Sequence, residues 1–126
     1  MTLTFTLPLP PSANNLFVNV PGRGRVKSAE YRKWITDAGW LAKTAIVGAE
    51  QVKPPYQVTY EVPADRRRDL DNFSKATGDL LVRLAVIADD KFIDRLIIER
   101  ADRKDMLVKV ETYRGAHGIP LKASVA

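Results

Sequence analysis

The chain has 126 residues, of which 45% are hydrophobic and 28% charged, a composition typical of one compact globular domain. It has no cysteine and a single histidine, His117, which excludes disulfides, thiolate zinc sites and cysteine nucleophiles, and argues against histidine-built metal sites and serine triads. The formal net charge of +5 favours anionic partners, and the basic excess lies in the first 60 residues.

The sequence contains no apolar run long enough to span a membrane. Its first residues, MTLTFTLPLPPSANN, lack the basic start and apolar core of a secretion signal. We therefore expect a cytoplasmic protein with no membrane association, folded as one domain over residues 1–126. Residues 114–126 carry no charge pattern and are expected to form a mobile tail.

The first half of the chain predicts one strand, one long loop and one helix. Leu3–Leu7 alternates apolar residues with Thr and predicts a strand. The prolines, asparagines and glycines that follow it predict a long, irregular, basic connection. Apolar residues then recur at helical spacing from Ser28, the expected N-cap, to near Gly48.

The second half predicts a strand, a helix and two further strands. Tyr56–Val62 alternates again, and a helix is expected from Asp69 or Asp71 to about Val86. FIDRLIIERA and MLVKVETY are strand candidates separated by DRKD, which suits a hairpin. The order β-α-β-α-β-β predicts an α+β fold with two helices on a small mixed sheet, which can leave an apolar face for a partner subunit.

Carboxylates cluster around the second helix. Asp69 and Asp71 flank Leu70 at the strand-to-helix junction, and Asp89 and Asp90 follow the helix. Mg²⁺ prefers oxygen ligands and uses one or two protein carboxylates, so a D-x-D pair with a third aspartate predicts a metal site. A helix of about seventeen residues would be roughly 25 Å long, however, so its two ends meet only if the helix is shorter or the chain folds back.

The same residues also fit a purely structural interpretation. Asp71, Lys75, Asp79 and Arg83 follow one another at i,i+4 spacing with alternating charge, as on a solvated helix face with salt bridges. Asp69 or Asp71 could simply cap the helix. Lys75 could pair with its aspartate neighbours or contact a phosphate. By spacing alone, the structural interpretation is the commoner of the two.

Basic residues favour a polyanionic ligand. Three adjacent arginines, Arg66, Arg67 and Arg68, repel one another on a bare surface but give bidentate contacts to phosphates. Three further candidates for DNA contact lie in the glycine-punctuated loop: Arg23, Arg25 and Lys27. Of the two tryptophans, Trp34 lies on the apolar helical stripe and is expected in the core, whereas Trp40 lies off it and could serve a partner interface.

DRRRDLDNFSKATGDLL...ADD, with LPLPPSANN, GRGR and KSAEYR upstream, resembles the RusA family of Holliday junction resolvases over about residues 3–113. The resemblance implies a RusA-like fold and a homodimeric, Mg²⁺-dependent endonuclease, with Mn²⁺ as a possible substitute, that nicks opposed strands of a four-way DNA junction. It implies Asp69, Asp71 and Asp90 as catalytic metal ligands and Lys75 as the essential lysine. The family spacing selects Asp90 over Asp89, and a phage or prophage origin is expected. The loop PPSANN departs from the family pattern by its alanine, so loop contacts are not carried over.

Two other functions remain open from the sequence. One is a non-catalytic protein that binds branched DNA or RNA through the arginines, with the aspartates serving as caps. The other is a structural subunit whose charges form a solvated face.

Overall fold

The structure is a computed structural model and describes residues 2–115. Eight helices and strands occur in the order β1 (Thr2–Leu7), β2 (Phe17–Val20), β3 (Gly24–Lys27), α1 (Ala29–Ile46), β4 (Tyr56–Pro63), α2 (Ser74–Arg83), β5 (Ile93–Ala101) and β6 (Met106–Thr112). Short 3-10 turns lie at Ala13–Asn15, Leu70–Phe73 and Asp90–Phe92. The mixed α+β fold with two helices that the sequence predicts is confirmed.

Four strands form the main sheet in the order β1-β6-β4-β5. The β1–β6 and β6–β4 pairs are antiparallel, whereas β4 and β5 are parallel. A parallel pair requires a crossover connection, and here α2 makes it. The strands β2 and β3 form a separate antiparallel hairpin.

The helix α1 begins where the sequence predicts. The Ser28 hydroxyl accepts a hydrogen bond from the Tyr31 backbone N–H at 3.0 Å, which satisfies one of the free donors of the first turn. The same hydroxyl donates to the Asn15 carbonyl at 2.7 Å, and the Ser28 N–H donates to the Leu16 carbonyl at 2.9 Å. Ser28 therefore fixes the helix start against the preceding loop.

One face of the main sheet carries the core. Alternate residues of the central strand β4 are buried (Tyr56, Val58, Tyr60 and Val62), and the residues of β1 and β6 on that face are buried with them. Two contacts attach the crossover to this face: the Thr77 hydroxyl of α2 lies 3.5 Å from the Met106 sulfur, and the Tyr56 hydroxyl accepts from the N–H of Ala88, which follows α2. The α1 residue Trp34 belongs to the same buried core and donates its indole N–H to the Pro8 carbonyl at 2.9 Å.

The opposite face of the sheet is polar. Gln57 of β4 donates to the Glu111 carboxylate at 3.2 Å, and Lys109 lies 3.5 Å from the same carboxylate. A sheet with one apolar and one polar face matches the alternation that the sequence shows in β4 and β6.

The predicted hairpin between the last two strands is wrong. β5 lies at the sheet edge beside β4, while β6 lies on the other side of β4. The DRKD connection therefore crosses the end of β4, where the Arg103 guanidinium lies 3.7 Å from Glu61 and 3.0 Å from Asp105. β4 pairs with the edge of β6 at which a hairpin partner would lie, and β5 pairs with the far edge of β4.

Two other boundaries also differ from the sequence predictions. The second helix is shorter, because Leu70–Phe73 form a 3-10 turn and the α-helix covers only Ser74–Arg83. The connection predicted to be irregular contains the hairpin β2–β3, with positive φ angles at Gly22 in its turn and at Gly24, where β3 begins. The expected mobile tail lies outside the described residues, apart from Arg114 and Gly115.

Arg100, near the end of β5, holds the loop between β4 and α2. Its guanidinium donates to the carbonyls of Asp65 at 2.6 Å and Arg68 at 2.9 Å. These two bonds fix the segment that leads into Asp69 and Asp71. A hydrogen bond from a charged donor contributes about 1.5–3 kcal/mol when buried and less where water competes.

None of the helices described over residues 2–115 combines the length and hydropathy that a membrane crossing would require.

Replacing Arg100 with Met should release the 65–68 loop while the sheet stays folded, because only two hydrogen bonds to loop carbonyls are lost. We expect faster amide hydrogen exchange in a peptide covering residues 64–70, measured by mass spectrometry, with a loss of unfolding free energy of about 1–2 kcal/mol. Arg95→Met is the matched control, since Arg95 lies on the same strand and its side chain makes no hydrogen bond or ion pair with residues 2–115. Equal exchange in both variants would contradict the anchoring role.

Candidate active site

Asp69 and Asp71 lie on the turn that joins β4 to α2. Asp69 is extended and precedes the 3-10 turn, and its carbonyl accepts the Asn72 N–H at 3.1 Å. The Asp71 carbonyl accepts the Ser74 hydroxyl at 2.9 Å. Both contacts use the backbone, so the local fold fixes the turn without using either carboxylate.

The side chains of Asp69 and Asp71 are exposed and free. Asp69 makes no side-chain capping bond although it occupies the N-cap position. Within residues 2–115, neither carboxylate takes part in an ion pair or a side-chain hydrogen bond. The capping interpretation therefore fails for the Asp69 side chain, and both carboxylates remain available to a ligand.

Lys75 and Asp79 form one ion pair on α2. The Lys75 Nζ and the Asp79 Oδ2 are 3.5 Å apart, and both side chains are at least half exposed. Asp71 lies in the 3-10 turn instead of α2, and the described part of the chain contains no Asp71–Lys75 or Asp79–Arg83 pair within 4.0 Å. The charge ladder that the spacing indicates is thus reduced to one step.

Asp89 and Asp90 have different environments at the start of β5. The Asp89 carboxylate accepts the Lys91 N–H at 3.1 Å and caps the 3-10 turn Asp90–Phe92, and this backbone hydrogen bond is the main reason that the pKa of Asp89 is lowered. Asp89 is therefore engaged by its own backbone.

Asp90 carries a raised pKa. The main cause is the hydrogen bond that its protonated carboxyl donates to Asp89; burial and the negative charges of Asp89 and Asp79 act in the same direction, and Lys75 opposes them. Asp90 therefore lies in the electrostatic field of α2, together with Lys75 and Asp79.

The donor chemistry fits Mg²⁺, although the three predicted ligands do not form a complete cage. The structure contains, over residues 2–115, no group of three or more histidines, aspartates or glutamates that could together hold a metal ion. The ten-residue helix is only about 15 Å long, against the 25 Å expected, so the two ends are closer than the sequence indicates. One or two free carboxylates are sufficient where water and phosphate complete the coordination.

The three adjacent arginines have three different environments. Arg67 is paired with Asp65, whose Oδ2 accepts the Arg67 Nε–H at 2.7 Å, and this bond lowers the pKa of Asp65. Arg66 is exposed and makes no ion pair within the described chain. The pairing of Arg67 with Asp65 reduces the repulsion between Arg66 and Arg67 that adjacent arginines would otherwise create.

Arg68 faces inward. One guanidinium nitrogen donates to the Pro10 carbonyl at 2.8 Å, and the group lies 4.2 Å from the ring centroid of Phe73. Burial lowers the pKa of Arg68. Its Nε and Nη2 are buried without a hydrogen-bond partner in residues 2–115, and these two atoms form the edge that takes paired oxygens of a phosphate.

The hairpin β2–β3 displays the remaining predicted DNA contacts. Arg23 lies in its turn, Arg25 lies with its guanidinium 4.3 Å from the Phe17 ring centroid, and Lys27 ends β3; all three are exposed. The hairpin sits next to the N-terminus of α1, where Phe17 packs edge-to-face on Tyr31. The sequence predicts a loop for these basic residues, whereas Arg25 and Lys27 lie on strand β3 and only Arg23 lies in a turn.

Two residues of the site escaped the sequence analysis. Arg100 positions the loop that carries Asp69, and no local pattern links a strand residue to a loop about 32 positions earlier. The i,i+4 spacing predicts a structural ladder for Asp79, yet its carboxylate pairs with Lys75 and its negative charge contributes to the raised pKa of Asp90. The i,i+4 spacing identified its partner but not its proximity to Asp90.

Comparison with known proteins identifies the family. The family model described as Endodeoxyribonuclease RusA matches residues 8–113. Similar proteins include the crossover junction endodeoxyribonuclease RusA of Escherichia coli K12, 34% identical over 71% of this chain and 74% of that protein, and that of Enterobacteria phage 82, 32% identical with the same coverage. The protein from Shigella sonnei is 33% identical over the same shares. This chain belongs to the RusA endodeoxyribonuclease family.

Proposed function

We propose that the chain is a metal-dependent endonuclease that resolves four-way DNA junctions by paired symmetric nicks, in DNA recombination and repair. The observation that carries this proposal is the pair of exposed, unengaged carboxylates, Asp69 and Asp71, within the segment that matches a family of crossover junction endodeoxyribonucleases. We further propose a cytoplasmic protein of one domain over residues 1–126. The relative from phage 82 supports a phage or prophage origin.

Asp69, Asp71 and Asp90 would hold Mg²⁺, for which Mn²⁺ can substitute. A bound metal ion lowers the pKa of a water and neutralises charge on the phosphate. Lys75, held near Asp90, would place its ammonium against the negative charge that develops on the phosphate or leaving oxygen. Asp79 would orient that ammonium through the 3.5 Å ion pair.

Basic residues would bind the DNA backbone. Arg23, Arg25 and Lys27 on the hairpin and Arg66 beside Asp69 are exposed, so each can reach a phosphate without first leaving a buried site. Arg67 would exchange its contact with Asp65 for a phosphate. Arg68 would use its free Nε/Nη2 edge, which is buried and must first become accessible to the phosphate. Binding through such contacts weakens steeply with salt.

The second candidate is a protein that binds branched DNA or RNA without cutting it. Two observations favour it: the described residues lack a three-carboxylate metal site, and Asp89 acts as a cap. Both candidates predict salt-sensitive binding to a junction, so only cleavage separates them.

We expect that Asp71→Asn abolishes cutting of a synthetic four-way junction and preserves binding. The carboxylate is exposed and unengaged, so the substitution removes a metal ligand at little cost to folding. Metal assistance is worth several kcal/mol, which corresponds to a loss of roughly a hundredfold or more in the single-turnover rate. Adding EDTA to the wild type should have the same effect on cutting.

Glu50→Gln is a control for the loss of one negative charge, because Glu50 is exposed and far from this segment in sequence. Binding without any cutting by the wild type, across pH and in either Mg²⁺ or Mn²⁺, would establish the non-catalytic candidate instead.

We expect that Lys75→Ala slows cleavage by roughly tenfold or more while the affinity for the junction changes little, because one positioned cation near the phosphate is lost. Lys33→Ala is the matched control: Lys33 forms an exposed i,i+4 pair with Asp37 on α1, at 2.7 Å. Each variant loses one surface ion pair, worth about 0.3–0.5 kcal/mol, so thermal unfolding should be nearly equal. Equal cleavage rates would remove Lys75 from the chemistry.

The proposed nuclease acts as a homodimer, because two nicks in symmetry-related strands require two active sites related by a two-fold axis. We expect sedimentation velocity at micromolar concentration to give twice the chain mass. A monomer that persists with the junction present would argue against paired nicking.

A further inference from the structure

A groove lies between α1 and the C-terminal end of α2. Its lining residues include Ile35, Gly39, Trp40 and Lys43 from α1, Arg83 from α2, and Leu84 directly after α2. Its volume is about 210 Å³. We call it the interhelical groove. A neighbouring hollow of about 170 Å³ shares Ile35 and Arg83 with it and extends to Lys27 and Asp79.

Trp40 is the unusual residue of this groove. It is 70% exposed, whereas Trp34 is 5% exposed and is held in the core by its hydrogen bond to Pro8. The indole N–H of Trp40 has no acceptor within residues 2–115. The fold does not use this side chain, since the buried stripe of α1 consists of other residues. A wide aromatic surface on a groove suits a flat ligand.

The charges of the interhelical groove select the class of ligand. Lys43 and Arg83 line it, and none of the aspartates and glutamates within residues 2–115 does so. Neither cation forms an ion pair with a residue of the described chain. A second copy docked here about a two-fold axis would bring Lys43 and Arg83 against their own equivalents, and like charges repel. An anionic partner meets no such repulsion.

The interhelical groove also adjoins the proposed DNA surface. The neighbouring hollow contains Lys27, one of the predicted phosphate contacts, and Asp79, the ion-pair partner of Lys75. From Tyr31 to Lys43, α1 advances about 18 Å at 1.5 Å per residue, so this path can follow several nucleotides of one strand away from the site.

We propose that the interhelical groove binds an unpaired or unstacked nucleotide of the junction, with Trp40 stacked on the base and with Lys43 and Arg83 on the flanking phosphates. This inference rests on the proposed function. Stacking on an aromatic side chain and phosphate contacts by free cations together form the usual means of holding single-stranded nucleic acid.

The test is equilibrium binding of a fluorescein-labelled four-way junction in EDTA, where no cutting occurs. Trp40→Ala should weaken binding roughly tenfold, within the range that base stacking gives on alanine substitution. Trp40→Phe should retain most of the affinity. Leu41→Ala is the matched control, because Leu41 is also exposed on α1, at 53%, and does not line the groove. Lys43→Gln with Arg83→Gln should reduce the dependence of binding on salt.

Intrinsic fluorescence gives an independent readout. Trp40 is exposed and Trp34 is buried, so junction DNA should quench the red-shifted part of the emission, and this quenching should vanish in Trp40→Phe. Thermal unfolding of each variant controls for folding.

Binding by Trp40→Ala within twofold of the wild type, or an absence of quenching, overturns the inference. So does a lower sedimentation mass for Trp40→Ala, which would make the groove a subunit interface. If the wild type binds and cuts junctions but Trp40→Ala does both equally well, only the groove assignment fails. If the wild type neither binds nor cuts junctions, the proposed function fails with it.

Discussion

The parallel pairing of β4 with β5 is the constraint on which the proposed site depends. Parallel neighbours cannot be joined by a tight turn, so the chain must leave the end of β4, cross the sheet as α2 and return to the start of β5. Asp69 and Asp71 lie where this crossover leaves the sheet, Lys75 lies on its helix, and Asp90 lies where it returns. One topological requirement therefore places all four residues along one short path.

The basic side chains around the crossover contact partners other than Asp69 and Asp71. Arg68 turns inward on Phe73, Arg67 turns to Asp65, and Arg100 holds the backbone beneath them. Within residues 2–115, Asp69 and Asp71 are left without a cation partner. A segment that looks self-neutralising in sequence thus presents free carboxylates, because Arg67 is engaged by Asp65, and Arg68 by the Pro10 carbonyl and the Phe73 ring.

Most of the fold could be predicted from sequence because it follows from local pattern. The Ser28 cap and the alternation in β4 depend on neighbouring residues, and both are confirmed. The β5–β6 hairpin was wrong, because a four-residue connection fixes chain direction loosely and cannot show that β4 lies between the two strands. Of the site, the candidate carboxylates could be chosen by spacing and resemblance. The role of Arg100 depends on contacts that are distant in sequence. The difference between Asp89 and Asp90 depends on the backbone hydrogen bond that the Asp89 carboxylate accepts. The periodicity of the sequence records neither.

The position of β6 has a consequence for how the protein is made. β6 pairs with β1 on one side and with β4 on the other, and in this register Leu3 lies opposite Val110. The partner of β1 is therefore a strand about a hundred residues later in the chain. Pairing the two strands closes a long loop of chain, which costs conformational entropy. On the ribosome, α1 and the β4–α2–β5 unit can form early, but the sheet cannot join them until residues 106–112 have emerged. Until then β1 has no partner strand, and its apolar residues lack the sheet that buries them. A nascent chain is most prone to association during this period.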